Sequence, residues 1–357
     1  MRVCILGTGL SSLTLAKALV NLKINVDILI EKKRDPVNKS RTIGISKSNV
    51  DFLNKKVINI EKIIWKLNKI EIYSEKMERQ KIINFIDKNN YLFSIVKNSK
   101  LQEILAKSLR KNKYFKISYF NKKKNYLEDY NLVLNTDGNN PLTKKYFSKK
   151  IEKKYNSVAY TTILKHKKIT NNVATQIFTK YGPLAFLPIS ECETSVVYSI
   201  NNHVSNIKEI NKLIKNYNFK YEFVKINKID YFKLKGLHLR SYHHKNILAF
   251  GDLLHRIHPL AGQGFNMTIR DIKTLINIVE KKVELGLSID SSINQEFEKK
   301  QKHKNYLFSN GIDLIHELFN LERKTNNSFL SKFIQVTNKP SQVNKILTKI
   351  ADRGIIT

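Results

Sequence analysis

Six residues near the start of the chain, Gly7-Thr8-Gly9-Leu10-Ser11-Ser12, have the make-up of a phosphate-binding turn. They follow a short apolar run, Arg2 to Leu6, that reads as a buried strand. They open a segment, Leu13 to Leu22, whose apolar residues recur at helical spacing. Glycine at position 7 permits a tight turn. Glycine at position 9 lets a pyrophosphate approach the backbone, where a helix N-terminus offers unpaired N–H groups and positive potential. Ser12 stands where a third glycine is usual. Glu31 follows a second apolar run, Asn25 to Ile30, and an acid at that point can accept hydrogen bonds from a ribose.

A second set of residues lies far along the chain. The apolar run Asn246 to Phe250 leads into Gly251-Asp252, then His255, His258-Pro259 and Ala261-Gly262-Gln263-Gly264-Phe265-Asn266. This reads as a strand, a Pro/Gly loop and a second helix N-terminus, able to face negative charge on a ligand. Asp252 at the strand end can accept hydrogen bonds from a polyol. His255 and His258 lack metal-chelating helical spacing and have no carboxylate close in sequence. They read as isolated structural groups, and no metal site is expected.

The string from Gly251 to Asp271 resembles the second flavin motif of the FAD-dependent aromatic monooxygenases, most closely that of the ubiquinone-biosynthesis hydroxylases. Three further segments agree in order: Arg41-Thr-Ile-Gly-Ile-Ser46, Thr136-Asp137-Gly138 and Gly182-Pro-Leu-Ala-Phe-Leu-Pro188. The resemblance implies FAD, with Gly7, Gly9, Ser12 and Glu31 toward its ADP half and Asp252 on the ribityl chain. Pro259, Gly262, Gln263, Gly264 and Asn266 would lie along the isoalloxazine, with His258 and Pro259 facing the flavin. Arg41 and Asp137 would lie near the cofactor. The implied reaction is hydroxylation of a polyprenylated phenol with O2 through a C4a-hydroperoxyflavin. The chemistry is then borne by the cofactor, and no side chain is assigned as acid or base.

Four departures from the family pattern stand out: Ser12; Pro141 and Lys144 after the Asp-Gly motif; a short polar stretch from Asn121 to Tyr130; and Leu253-Leu254 after Gly251-Asp252. The first two and the shortened stretch fall in the FAD and nicotinamide half and leave the electron donor open between NAD(P)H and a redox protein. They also keep two alternatives in view, a flavin-dependent reductase or dehydrogenase on the same fold, and a non-catalytic accessory subunit of a quinone-synthesis complex.

These motifs require an α/β scaffold. The expected fold is a three-layer, Rossmann-like FAD-binding domain with an inserted antiparallel β substrate domain and C-terminal helices. Its segments are 1–65, 97–150 and 238–300 for the FAD-binding domain, 66–96 and 151–237 for the substrate domain, and 301–357 for the helical end. A helix is predicted at 99–110, helical or mixed structure at 44–68, and strands at 130–135, 157–165, 174–180 and 194–201. From Gly264 onward the pattern is helical.

Composition narrows the partners. The 357 residues carry 64 Lys and Arg against 30 Asp and Glu, a formal net charge of +34. Only ten of the cations are Arg. Lys is a point charge without the planar fork that reads phosphates and bases, so no nucleic-acid partner is expected. The excess reads first as solvated surface from an AT-rich coding background, and second as attraction to an anionic membrane. The run Lys122-Lys123-Lys124 reads as a solvated loop. Residues 328–337 place Phe329, Leu330, Phe333 and Ile334 on one helical face, which could pack internally or rest on a membrane. Two cysteines, Cys4 and Cys192, exclude a disulfide framework. The N-terminal apolar run is interrupted by Gly7, Gly9, Ser11 and Ser12 and is not read as a signal peptide. The expected location is cytoplasmic, peripheral on the cytoplasmic face of the membrane.

Overall fold

The computed structural model describes residues 1–30, 40–75, 81–86, 91–119, 126–201, 206–259, 262–325 and 348–354. Its organising element is the strand Arg2–Leu6, whose residues Val3 to Leu6 are buried. It pairs in parallel with Asn25–Ile30 on one side and with Leu132–Asn135 on the other. The complete sheet has six strands. Asn25–Ile30 continues to Phe115–Tyr119, and Leu132–Asn135 continues to Ile247–Ala249 and the short hairpin partner His243–His244. All pairs are parallel except that hairpin. Burial on both faces explains why these strands read as continuous apolar runs. The reversal of strand order beside Arg2–Leu6 creates a crevice at the carboxyl ends of two neighbouring strands, where ligands bind in open α/β sheets.

The helices Leu10–Asn21 and Asn98–Arg110 pack on each other, and Gln263–Glu284 packs on the first of them. The last helix also carries Thr42–Ser46, a strand of a three-stranded antiparallel sheet completed by Phe93–Lys97 and Ile64–Leu67. Residues 44–68 are thus strand, helix (Lys47–Phe52), a wider turn in which Ile58 N–H donates to Leu53 O at 2.8 Å, and strand again.

The third sheet has nine strands, built around Lys150–His166. Its strands Val173–Thr179, Gly182–Pro188 and Glu193–Asn201 form an antiparallel meander. One pair departs from the antiparallel expectation: Val173–Thr179 runs parallel to Lys69–Ser74. The latter belongs to a much earlier segment, so no hairpin dictates its direction. The helix Ile207–Tyr217 covers this sheet, with Ile210, Leu213, Ile214 and Tyr217 in one core with Val158, Leu184 and Tyr198. The chain therefore has the expected α/β architecture, a Rossmann-like parallel sheet with helices plus a largely antiparallel sheet.

Beyond Gly264 the helical reading holds for Gln263–Glu284 and Ser292–Thr325, separated at Gly286 with φ +66°. A last helical turn at 348–353 returns to the small sheet, where Ser46 Oγ and Ser48 Oγ donate to Asp352 O, both at 2.9 Å. Glu31, Lys122-Lys123-Lys124 and the stretch 328–337 lie outside the described residues. Among the described residues no helix is long and apolar enough to cross a membrane.

Candidate functional site

The turn after Arg2–Leu6 has the geometry that its glycines require. Gly7 has φ +112°, and a Cβ there would lie 2.4 Å from Thr136 Oγ1. That hydroxyl donates to Leu6 O at 2.9 Å and pairs with Ser12 Oγ at 2.7 Å. Ser12 is fully buried. In place of a third glycine, a hydroxyl joins the helix to the end of the neighbouring strand, and Ser12 faces the interior. Gly9 is the N-cap of Leu10–Asn21 and has no atom within 4 Å of its added Cβ. The N-cap supplies no side-chain hydrogen bond and no acid occupies the first turn, so the positive end of this helix is not offset by its own residues.

Two other motifs meet this turn. Asp137 Cβ lies 3.5 Å from the added Cβ of Gly7, and Asp137 Oδ1 accepts from Asn139 N–H at 2.9 Å. Gly251 has φ +63°, and an added Cβ would lie 2.8 Å from Ser11 Oγ. The Gly251-Asp252 turn therefore packs directly on the first turn of the first helix, although the two are 240 residues apart. Asp252 is exposed at the rim.

The loop beyond Asp252 closes over the small sheet. Gly262 is left-handed, φ +65°, and is the N-cap of Gln263–Glu284. Its added Cβ would sit 3.7 Å from Gly44 N and 3.9 Å from Phe93 Cε1, and its N–H donates to Pro259 O. Gly264 is open, with nothing within 4 Å of an added Cβ. Gln263 is buried and its Oε1 has no partner among the described residues.

Asn266 sits behind this loop. Its Oδ1 accepts from Ser46 N–H (2.9 Å) and Asn49 Nδ2 (2.8 Å), and its Nδ2 donates to Gly44 O (3.0 Å) and Gly262 O (3.2 Å). Its amide is fully used within the protein, so it clamps the loop to the small sheet. Arg41 is exposed at the edge of that sheet, and its carbonyl accepts from Asn98 N–H.

The two histidines are not isolated. His255 Nε2 meets Asp271 Oδ2 at 2.5 Å, and both side chains are buried. His258 is buried with both ring nitrogens unpartnered among the described residues. It lies against Tyr155 (ring centroids 5.0 Å) and His316 (4.1 Å). Burial, then His316 and Lys153, push its imidazole down to about 3, so it is neutral at pH 7. Tyr155 donates to Asp313 Oδ1 at 2.6 Å.

Other neighbours carried no sequence signal. Thr42 Oγ1 donates to Ser195 Oγ at 2.7 Å, joining the small sheet to the large one. Phe93, Trp65, Ile70, Leu187 and Ile189 make an apolar wall at the same junction. Arg270 packs over Phe308 at 4.4 Å, and burial pushes its guanidinium down to about 10.

The arrangement suits a dinucleotide: an uncapped helix end, an open Gly9, an exposed carboxylate beside it, and a second glycine-capped helix whose buried Gln263 Oε1 is unpartnered among the described residues. No protein-family model matches the chain. Over 273 residues it is 22% identical to ubiquinone biosynthesis monooxygenase COQ6, mitochondrial, of Schizosaccharomyces pombe, a match covering 63% of this chain and 57% of that protein. The chain thus spans somewhat over half the length of the first curated relatives it matches. Among solved structures, p-nitrophenol 4-monooxygenase PnpA from Pseudomonas putida DLL-E4 superposes with TM-score 0.78 at 11% identity, covering 99% of this chain and 98% of that one. The structure of pqsL, a probable FAD-dependent monooxygenase from Pseudomonas aeruginosa, gives 0.69 at 13% identity, covering 95% and 99%. The sequence resembles the ubiquinone-biosynthesis hydroxylases, and the fold is that of flavin monooxygenases.

Proposed function

We propose that this chain is an FAD-dependent monooxygenase that hydroxylates the ring of a polyprenylated phenol in ubiquinone biosynthesis. The observation that carries this reading is the packing of Gly251-Asp252 on the first turn of Leu10–Asn21, with Gly262 seated on Gly44. In this reading the two glycine-capped helix ends and the exposed Asp252 carboxylate face one and the same cofactor. The N–H groups after Gly7 and Gly9 would hold the pyrophosphate, and Asp252 the ribityl hydroxyls. Arg41 and Asp137 flank the cofactor in this reading. Pro259, Gly262, Gln263 and Gly264 would line the isoalloxazine, while Ser12 and Asn266 hold the two loops in shape from behind.

When bound, FAD supplies the activation of O2 for transfer of one oxygen atom to an electron-rich ring. The protein orients the ring and excludes water, and the apolar wall of Trp65, Ile70, Phe93, Leu187 and Ile189 serves both ends. The neutral, buried His258 adds no charge beside the loop. The electron donor is a reduced nicotinamide nucleotide or a redox protein. In this reading 1–65, 97–150 and 238–300 bind the cofactor, 66–96 and 151–237 meet the substrate, and 301–357 close the structure.

The test is flavin content followed by turnover. The purified protein is expected to carry FAD, and Asp252→Ala to lose most of it without loss of stability, since Asp252 is exposed. A colourless protein that fails to take up added FAD would favour an accessory subunit. Flavin that is reduced and reoxidised without oxygen transfer to any prenylated phenol would favour a reductase.

A further inference from the structure

The outer side of the helix Ser292–Thr325 is apolar where water should be. Leu307, Leu314, Leu318 and Leu321 follow one another at spacings of seven, four and three residues, which places them on a single stripe. All four are exposed, Leu314 at 60% and Leu321 at 58%, and Ile315 beside them at 39%. Gly311 lies on the same stripe between Leu307 and Leu314. The opposite side of the helix is anchored in the protein by Asn305, Phe308, Ser309 and His316, and Phe319 stacks on Phe178. A continuous row of exposed leucines over four turns marks a surface meant to be covered.

We propose that this stripe seats the chain on an anionic lipid bilayer. Charge chooses among possible occupants. Each copy carries a net charge of +34 over the whole chain, so a second copy would meet like charge, and the two would repel. An anionic bilayer satisfies the apolar stripe and the cationic chain together. Basic residues bracket the stripe, Lys304 before Leu307 and Lys324 after Leu321. Of the acids that adjoin the stripe, Glu317 is paired with Lys153 at 3.1 Å, Asp313 accepts from Tyr155 at 2.6 Å, and Glu322 is buried.

Position adds a reason. The inner side of the same helix meets the candidate site through His316 and His258, whose rings are 4.1 Å apart. A helix is about 10–12 Å across with its side chains. Seating the outer stripe on the bilayer therefore brings the Pro259 loop within a helix diameter or so of the lipid headgroups. In this respect the inference deepens the functional reading, because a polyprenylated ring partitions into lipid and would be met there.

The test needs neither flavin nor turnover. The full chain is sedimented with vesicles of phosphatidylcholine alone, or of equal parts phosphatidylcholine and phosphatidylglycerol. The wild type should pellet with the anionic vesicles only. The triple variant Leu314→Gln, Leu318→Gln, Leu321→Gln leaves the charge unchanged and should lose affinity roughly tenfold or more. Its circular dichroism and thermal midpoint should stay as in the wild type, and the single variant Leu314→Gln should lose less. Leu285→Gln, at an apolar exposed position off the stripe, should bind as the wild type does. Undiminished binding of the folded triple variant would overturn the proposal by assigning adhesion to lysines elsewhere. A wild type that binds no vesicle, and forms a dimer that the variant splits, would overturn it in favour of a second copy. Either failure leaves the flavin test on Asp252 intact, and loss of the flavin reading leaves vesicle binding to stand or fall alone.

Discussion

His255 and Asp271 form a closed pair inside the protein, Nε2 to Oδ2 at 2.5 Å. His255 belongs to the loop that follows Gly251-Asp252, and Asp271 to the helix that Gly262 caps. The pair therefore ties the two ends of one motif together. The other carboxylate oxygen accepts from Gln301 Nε2 at 2.7 Å and Asn305 Nδ2 at 2.9 Å, which brings in the C-terminal helix. Removing Asp271 strands three buried donors, and removing His255 leaves one buried carboxylate oxygen, Oδ2, without its partner. Asp271→Ala is expected to cost about 3–5 kcal/mol, read as a lower urea midpoint. His255→Ala should cost a comparable amount, and the double variant less than the sum. Purely additive losses would mean the two groups do not act as a pair.

Gly7 and Gly9 should separate when each is changed to alanine. At Gly7 the added methyl meets Thr136 Oγ1 at 2.4 Å with φ at +112°, so Gly7→Ala should lower stability by about 2 kcal/mol or more and weaken flavin retention with it. At Gly9 the methyl meets no protein atom and φ is −73°. Gly9→Ala should keep its melting temperature and still lose bound flavin, followed by visible absorbance. Full flavin retention by a stable Gly9→Ala would place the pyrophosphate elsewhere.

The contrast between these residues shows what the sequence discloses. The glycine turn was legible because its evidence is local: a strand before it, a helix after it, and glycine at positions that need φ > 0 or an open approach. Gly251-Asp252 was legible for the same reason. The partner of His255 was not, because sixteen residues and a turn of loop separate it from Asp271, and only the packed helix brings them together. The hydroxyl pair of Ser12 and Thr136 spans 124 residues, and Thr42 with Ser195 spans 153. Asn266 shows a subtler limit. Its place in the motif pointed to the cofactor, whereas its amide is consumed by Gly44, Ser46, Asn49 and Gly262. The parallel pairing of Val173–Thr179 with Lys69–Ser74 was hidden likewise, since composition reports strands but not their directions.

The two thiols should react at very different rates. Cys4 is fully buried in the central strand, and burial, followed by the charge of Asp27, pushes its thiol far above the usual range. Cys192 is exposed. Titration with a thiol-specific chromogen should release one equivalent quickly from the native protein and the second only in denaturant. Two fast equivalents would mean that the first strand is open to solvent.

Acid should destabilise the fold well before its carboxylates are protonated. Burial holds His258 down to about 3, with His316 and Lys153 adding to it, and burial holds His238 down to about 4, with His255 adding. In the unfolded chain both would titrate near their usual 6.5. Between that value and the depressed ones the unfolded chain takes up protons that the folded chain refuses. The stabilisation is therefore complete above about pH 6.5 and is lost progressively as pH falls toward 4 and then 3. Urea midpoints measured from about pH 8 down to about pH 5 should be flat at first and then decline. His258→Phe keeps an aromatic ring against Tyr155 but cannot take a proton, so its decline should be shallower, with the remainder owed to His238 and to His316, which burial also holds down. Midpoints that stay level down to pH 5 in the wild type, or a decline unchanged in His258→Phe, would show that His258 is not held neutral by the fold.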